Sequence, residues 1–217
     1  MAGFEPKVAD FTNPVAPNLP LAPNEYDRQF QDQFENILRL YFNQLDNSFV
    51  SLLGPTGGKY LKFPYGAFSS DQDQTTTANT ATLMTLNTTD FANEVSISSS
   101  KITVVNAGIY NLQFSTQFQN SDTQLHDTYI WLRQNGTDIP GSTGFVSIPN
   151  KHGGTNGHII VGWNYFINMA ASDYVEIYWS PTNAAVTIQH LAASGTPTKP
   201  STQSVVATMS FVSRLPS

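Results

Sequence analysis

The chain has 217 residues, a formal net charge of −6 and no cysteine. Its 10 lysine and arginine residues stand singly along the sequence, without the basic patch that binding to a phosphate backbone needs, so nucleic acid is not an expected partner. The lack of cysteine excludes disulfides, thiolate metal ligands and a thiol nucleophile. Charged residues make up only 12% of the chain, about half the usual share in a soluble domain, which favours a surface partly covered by other copies or partners.

The first segment, residues 1–24, is rich in proline. Proline fixes φ and removes a backbone hydrogen-bond donor, so this arm is predicted to be extended. It is either a disordered tail or a docking peptide that lies along another protein. In the second interpretation, which we favour, apolar side chains anchor the arm. The candidate anchoring residues are Phe4, Val8, Phe11, Val15, Leu19 and Leu21.

Residues 25–54 are predicted to form one helix, about 40 Å long at 1.5 Å per residue. Asn24 is the predicted N-cap, and Gly54-Pro55 the predicted end. Bulky apolar residues recur at the helical period, with polar residues opposite. The helix packs either on its own β domain or on copies of itself, and the narrow stripe favours a trimeric stalk. The stripe consists of Phe30, Phe34, Ile37, Leu38, Tyr41, Leu45, Phe49 and Leu52.

The remainder, residues 55–217, is predicted to be a β domain. From Phe63 onward Thr, Val, Ile, Tyr and Phe are enriched, and turn residues recur at intervals of about ten residues. No helical pattern interrupts the strands, so a two-sheet sandwich is expected. Residues 71–90 are predicted to form a polar loop or meander. The predicted strands are 94–98, 102–105, 108–118, 127–134, 143–148, 158–169, 173–179, 186–191 and 204–212.

Four short motifs follow one another within this β region. They are GIYNLQF from Gly108 to Phe114, YIWLRQNG from Tyr129 to Gly136, SDYVEI from Ser172 to Ile177, and ATMSFV from Ala207 to Val212. In this order they resemble strands of the C1q- and tumour-necrosis-factor-like jelly rolls, and the resemblance covers about residues 65–213. The Asn-Gly pair is typical of a tight hairpin turn that needs positive φ.

The resemblance implies a mainly β fold, a ten-strand C1q/TNF-like jelly roll, which forms a compact homotrimer. It also implies that aromatic and apolar side chains line the three-fold axis. Tyr110, Tyr174, Tyr178 and Phe211 are the candidates for that position. The other interpretation is that these four are ordinary core or surface residues.

The front of the chain has a resemblance of its own. A Pro/Asn-rich arm followed by residues 24–47 is similar to N-terminal segments of virion proteins of marine tailed phages, notably those of cyanobacteria. This implies a particle component, bound to other virion proteins through its arm, with the jelly roll facing outward. The expected location is the virion, after synthesis in the host cytoplasm, since no signal peptide is recognisable. The longest apolar run, around Ile159 to Trp163, is too short for membrane insertion.

No group of residues indicates catalysis. His152 and His158 lie six residues apart in a glycine-rich stretch, but no carboxylate or cysteine lies near them in sequence, so a polar loop is preferred over a metal site. His126-Asp127 is not accompanied by the G-x-S-x-G turn of a hydrolase. We therefore expect no enzyme activity, no cofactor and no metal.

The expected function is that of a homotrimeric head-decoration protein, knob or short fibre in a tailed-phage virion. The alternative is a receptor- or glycan-binding C1q-like adhesin or tail-fibre tip, with a host-surface glycan as the candidate partner. A jelly-roll enzyme is disfavoured because the four histidines lack a suitable spacing. The candidate receptor-facing loop residues are Asp122, His126, Lys151, His152 and Asn156.

Overall fold

The structure is a computed structural model that describes residues 14–53 and 62–214, without the side chains of residues 51–53. The chain forms two compact units that divide between Lys62 and Phe63. In the first unit, residues 14–24 have no regular secondary structure and are mostly exposed.

Within residues 14–53 and Lys62, the described part of the first unit, there is one helix, α1, which spans Arg28–Leu53. Asp27 caps it, because its Oδ1 accepts a hydrogen bond from the Gln29 amide at 2.9 Å and its carbonyl accepts the Gln31 amide at 3.0 Å. The prediction that Asn24 is the N-cap is therefore wrong, and the helix begins three residues later than the predicted start at residue 25. The predicted end at Gly54-Pro55 lies outside the described residues.

The described part of the second unit, residues 63–214, contains fifteen strands, and every pairing between two of these strands is antiparallel. The strands are β1 Tyr65–Ser70, β2 Thr82–Leu83, β3 Thr88–Asn93, β4 Val95–Ser98, β5 Lys101–Val104, β6 Gly108–Asn120, β7 His126–Gln134, β8 Thr137–Asp138, β9 Gly144–Ile148, β10 Gly157–Met169, β11 Tyr174–Pro181, β12 Val186–Ile188, β13 Ser194–Gly195, β14 Thr198–Lys199 and β15 Val205–Ser213.

The strands form two large sheets. The first sheet has the order β10-β6-β15-β1-β3, with β12 also paired to β6, and the second has the order β4-β5-β11-β7-β8, with β2 on β11 and β9 on β7. If the eight principal strands β1, β5, β6, β7, β9, β10, β11 and β15 are numbered along the chain, the sheets run 1-8-3-6 and 2-7-4-5. This is the strand order of a jelly-roll sandwich. The predicted mainly β fold with one N-terminal helix is confirmed.

Side chains from both sheets form one core between them. Along β6, buried residues alternate with less buried ones, as expected for a strand with one face on a core. Trp179 of β11 is fully buried and packs against Phe118 of β6 with ring centroids 5.7 Å apart. Phe68 of β1 is likewise fully buried. The core therefore joins strands that are distant in sequence, including the first and the last.

The predicted Asn-Gly turn is confirmed at the β7–β8 hairpin. Asn135 and Gly136 have φ values of 50° and 81°, the positive angles that a type I′ turn requires. The side chain of Asn135 donates to Asp173 Oδ1 at 2.7 Å and accepts the Tyr174 amide at 3.0 Å. Burial alone raises the pKa of Asp173, but hydrogen bonds from Asn135, Ala170 and Gln134 outweigh it and lower the pKa. The contacts of Asn135 with Asp173 and Tyr174 therefore join the YIWLRQNG motif to the SDYVEI motif.

Several segments differ from expectation. The stretch 71–90, predicted to be a polar loop or meander, contains β2 and the beginning of β3. The predicted strand 186–191 is shorter, since β12 spans only Val186–Ile188. β1 was not predicted and lies within the first sheet, between β15 and β3.

Candidate functional site

The four aromatic residues expected on a three-fold axis lie in two different places. Tyr110 is fully buried, and its hydroxyl donates to the Asn106 carbonyl at 2.8 Å. Burial, followed by the charge of Glu94, raises its pKa. Phe211 packs edge-on against Tyr110 with ring centroids 5.6 Å apart. These two belong to the core of one copy, so the expectation that Tyr110 lines an axis is wrong.

Tyr174 and Tyr178 lie instead on the outer face of the second sheet. They alternate along β11 with Val175, Ile177 and Trp179, which are core residues. A strand directs successive side chains to opposite faces, so both tyrosines face away from the core. The four candidates therefore do not share a surface. The sequence could not show this, because a period of two indicates which residues of a strand share a face but not whether that face is the inner or the outer one.

The outer face of the first sheet carries no Lys, Arg, Asp or Glu at its outward positions on three strands. These positions are the odd numbers 109–119 on β6 and the even numbers 158–168 on β10 and 206–212 on β15, and together they form what we call the assembly face. Ile160, Phe166 and Val212 on this face are 70%, 57% and 50% exposed. Depletion of charge together with exposed apolar side chains is typical of the centre of a protein interface.

The predicted stripe of α1 is only partly covered. From residue 28 to residue 50 no side chain of the helix is buried, and Phe49 is 55% exposed. Phe30 and Phe34 stack on each other with ring centroids 6.2 Å apart. The remaining described stripe residues are half-buried, namely Ile37, Leu38, Tyr41 and Leu45. The side chain of Leu52 lies outside the described residues.

The predicted anchoring residues are divided by what the structure describes. Val15, Leu19 and Leu21 are exposed, with Leu21 the most exposed at 94%. Phe4, Val8 and Phe11 lie outside the described residues. The anchoring role of all six residues stays a prediction.

The two candidate receptor-facing loops lie side by side. The Lys151 amide donates to the Asp122 carbonyl at 2.7 Å, which joins the loop after β6 to the loop before β10. Within the first loop, His126 Nε2 lies 2.8 Å from Asp122 Oδ2, and the hydrogen bond from His126 lowers the pKa of Asp122. His152 pairs with Thr155 across a tight turn through two glycines with positive φ. The turn therefore needs its glycines for conformation.

Asn156 extends this arrangement, because its side-chain amide donates to Gln119 Oε1 at 3.0 Å. The Lys151–Asp122 contact thus joins the two loops, and Asn156 joins the second loop to β6. Among the described residues no group of three or more His, Asp and Glu side chains is arranged to hold a metal ion. The sequence-based preference for a polar loop over a metal site at His152 and His158 stays a prediction.

Four of the aromatic side chains on the outer face of the second sheet lie in close pairs and form what we call the aromatic platform, namely Tyr129, Trp131, Phe145 and Tyr178. Tyr129 and Phe145 are 42% and 60% exposed, and their ring centroids lie 5.2 Å apart. Trp131 and Tyr178 stack with centroids 5.8 Å apart and ring planes inclined by 28°. Tyr129 and Trp131 lie two residues apart on β7, about 7 Å along the strand, so the two pairs form successive rows.

A polar cluster holds one end of the aromatic platform. Asp138 Oδ1 accepts hydrogen bonds from Trp131 Nε1 and from Arg133 Nε, both at 2.8 Å. The Arg133 guanidinium lies 4.0 Å from the centroid of Tyr178, a favourable cation–π arrangement. The hydrogen bond from Arg133, followed by that from Trp131, lowers the pKa of Asp138, and the same pairing raises the pKa of Arg133. The polar cluster therefore holds the rings of Trp131 and Tyr178 in place.

The aromatic platform was not predicted from the sequence. The signal was present as Tyr129, Trp131 and Arg133 at alternate positions of a predicted strand, opposite the aliphatic residues Ile130 and Leu132. Both faces of this strand are apolar, so its pattern does not show which face is covered.

No known protein-family model and no curated protein sequence matches this chain. Among the described residues, no helix has the length and apolar character needed to cross a membrane.

Proposed function

We propose that this chain is a self-assembling structural component of a tailed-phage virion, a homotrimeric head-decoration protein, knob or short fibre. The observation that carries the proposal is the assembly face, which lacks charged residues and exposes Ile160, Phe166 and Val212. Burial of such apolar side chains between copies contributes about 25 cal/mol per Å² removed from water. The number of copies is taken from the resemblance to C1q/TNF-like jelly rolls.

The helix gives independent support for self-association. Its aromatic and aliphatic stripe remains without a fully buried side chain over residues 28–50, and exposed apolar stripes of this kind favour packing against other helices. In the proposal, three copies of α1 form the stalk. The arm then binds other virion proteins, and the jelly roll faces outward.

The first test is the molar mass of the purified full chain, measured by light scattering behind a sizing column. We expect three times the mass of one chain. Phe166→Asp places a carboxylate on the assembly face and should dissociate the assembly or raise its dissociation constant at least about tenfold, equivalent to about 1.4 kcal/mol. Phe145→Asp is the matched control, an equally exposed phenylalanine on the other sheet, and should leave the mass unchanged. A monomeric native chain would overturn self-assembly.

The role of the arm is tested on particles. Deletion of residues 1–24 is expected to leave the trimer intact and to reduce incorporation into particles to background, because the candidate anchors are removed while the stripe and the assembly face remain. Incorporation is measured by quantitative mass spectrometry of purified particles made in cells that supply either the full or the shortened chain. If the shortened chain is incorporated as well as the full one, the arm is not the anchor.

A further inference from the structure

Glu176 lies on the outer face of the second sheet beside the aromatic platform. On β11 it stands between Tyr174 and Tyr178, and it is opposite Arg133 of β7. The residue is only 5% exposed. No hydrogen bond or ion pair joins its carboxylate to another residue within the parts of the chain that the structure describes. Its carboxylate oxygens are not among the buried polar atoms without a hydrogen-bond partner, so they reach the surface, where they can accept hydrogen bonds from a ligand.

We propose that this face of the second sheet is a binding site for a neutral glycan. A pyranose ring has an apolar C–H face and a rim of hydroxyl groups. The exposed rings of the aromatic platform would contact the C–H face, and the carboxylates of Glu176 and Asp138 would accept hydrogen bonds from the hydroxyl groups. Successive rows of side chains, about 7 Å apart along the strands, suit a chain of sugars rather than one.

The charges on this face favour a neutral ligand over an acidic one. Lys101 and Arg133 are the two cations, and they already lie over the rings of Tyr174 and Tyr178 at 4.3 and 4.0 Å. Three carboxylates stand on the same face, Asp127, Asp138 and Glu176. The local balance is therefore negative, which disfavours sialylated or sulfated sugars.

Part of the aromatic platform is held in place before a ligand binds, as is typical of binding sites. Asp138 holds Trp131 directly and Tyr178 through Arg133, so little side-chain entropy of these two rings is lost when a ligand binds. At the opposite end, Ser147 Oγ donates to Asp127 Oδ1 at 2.7 Å, which adds hydroxyl and carboxylate groups to the apolar surface. This site lies on a different sheet from the assembly face and does not depend on the proposed trimer.

The test uses the full chain with four neutral oligosaccharides, cellohexaose, maltohexaose, laminarihexaose and mannohexaose, and with the acidic hexasaccharide of hyaluronan. Binding is measured by calorimetry and by tryptophan fluorescence, to which Trp131 contributes from the platform. We expect at least one neutral hexasaccharide to bind with a dissociation constant below about 1 mM and the acidic one to bind more weakly. Absence of binding to all four neutral sugars, or preference for the acidic one, would overturn the proposal.

Variants then locate the site. Trp131→Ala and Glu176→Gln should each weaken binding at least about tenfold, or about 1.4 kcal/mol, and Trp131→Phe should retain more affinity than Trp131→Ala. Phe145→Ala provides a second platform variant if Trp131→Ala does not fold. Phe91→Ala removes an exposed aromatic ring elsewhere and should leave the affinity unchanged.

Molar mass distinguishes this site from an interface between copies. The platform variants should keep the mass of the native chain while they lose sugar binding. If Trp131→Ala or Glu176→Gln changes the mass, or if Phe91→Ala weakens sugar binding equally, the proposal is wrong, whatever the fate of the proposed virion function.

Discussion

Two aspartates on the apolar stripe of α1, introduced as Phe34→Asp with Leu38→Asp, are expected to abolish the trimer. In the proposed stalk both positions face the other two helices, so each substitution buries a carboxylate close to its own copies. Desolvation of a buried ion without a partner costs several kcal/mol, and the like charges also repel one another. Light scattering and sedimentation velocity at equal chain concentrations should show a monomer in place of the native trimer.

The matched control carries the same residue types away from the stripe. Leu40 and Phe42 are 52% and 60% exposed, so Leu40→Asp with Phe42→Asp introduces equal charge without burial. The helical content of both double variants, followed by circular dichroism, should stay close to that of the native chain. A trimeric stripe variant, or equal dissociation of the control, would refute the helical stalk.

Gly157→Ala is expected to destabilise the β domain by about 3 kcal/mol. Gly157 begins β10 and ends the loop that contains Lys151 and His152. A methyl group there would overlap the carbonyl group of Pro149, which is backbone and cannot rotate away. The strand and the loop must separate, so urea unfolding should show a lower midpoint and hydrogen exchange should increase at the start of β10.

Gly195→Ala is the control for this substitution. Gly195 has no atom within 4 Å of the added methyl group and no positive φ, so its replacement should change the unfolding free energy by less than about 0.5 kcal/mol. If both variants lose equal stability, the close approach of Pro149 to Gly157 does not govern the effect.

Regular alternation made most strands predictable from sequence. In β6, Tyr110, Leu112 and Phe114 alternate with polar residues, and the predicted segment 108–118 agrees with Gly108–Asn120. The core needs this pattern, because one face of the strand packs on the other sheet while the other face does not. The same reasoning located α1 to within three residues at its start.

β1 and β3 were not predicted because their sequences give no such signal. β1 is YGAFSS, in which glycine and serine have low strand propensity, yet all of its residues after Tyr65 are buried. β3 contains Asp90 and a register shift opposite Ala67 and Phe68. Their strand conformation depends on pairing with distant neighbours, which a local pattern does not contain.

The surface of the predicted three-fold axis was predicted less well than the strands, because a strand pattern does not show which of its faces is buried. The resemblance to C1q/TNF-like jelly rolls, with their positions in predicted strands, grouped Tyr110 with Tyr174 and Tyr178 as candidates for a three-fold axis. Burial separates them, and burial depends on which sheet covers each face. The structure brings the loops of Asp122 and Lys151 together, and their role as receptor-facing loops stays a prediction.

The jelly roll places the assembly face and the aromatic platform on opposite sheets of one sandwich. If the first sheet is covered by neighbouring copies, the second remains accessible, so each proposed trimer would display three platforms in a fixed geometry. Simultaneous contact with one polysaccharide surface raises avidity over the affinity of a single site by about 10² to 10⁴. Sites that bind a single sugar chain only at millimolar concentrations would then hold a whole particle on a cell.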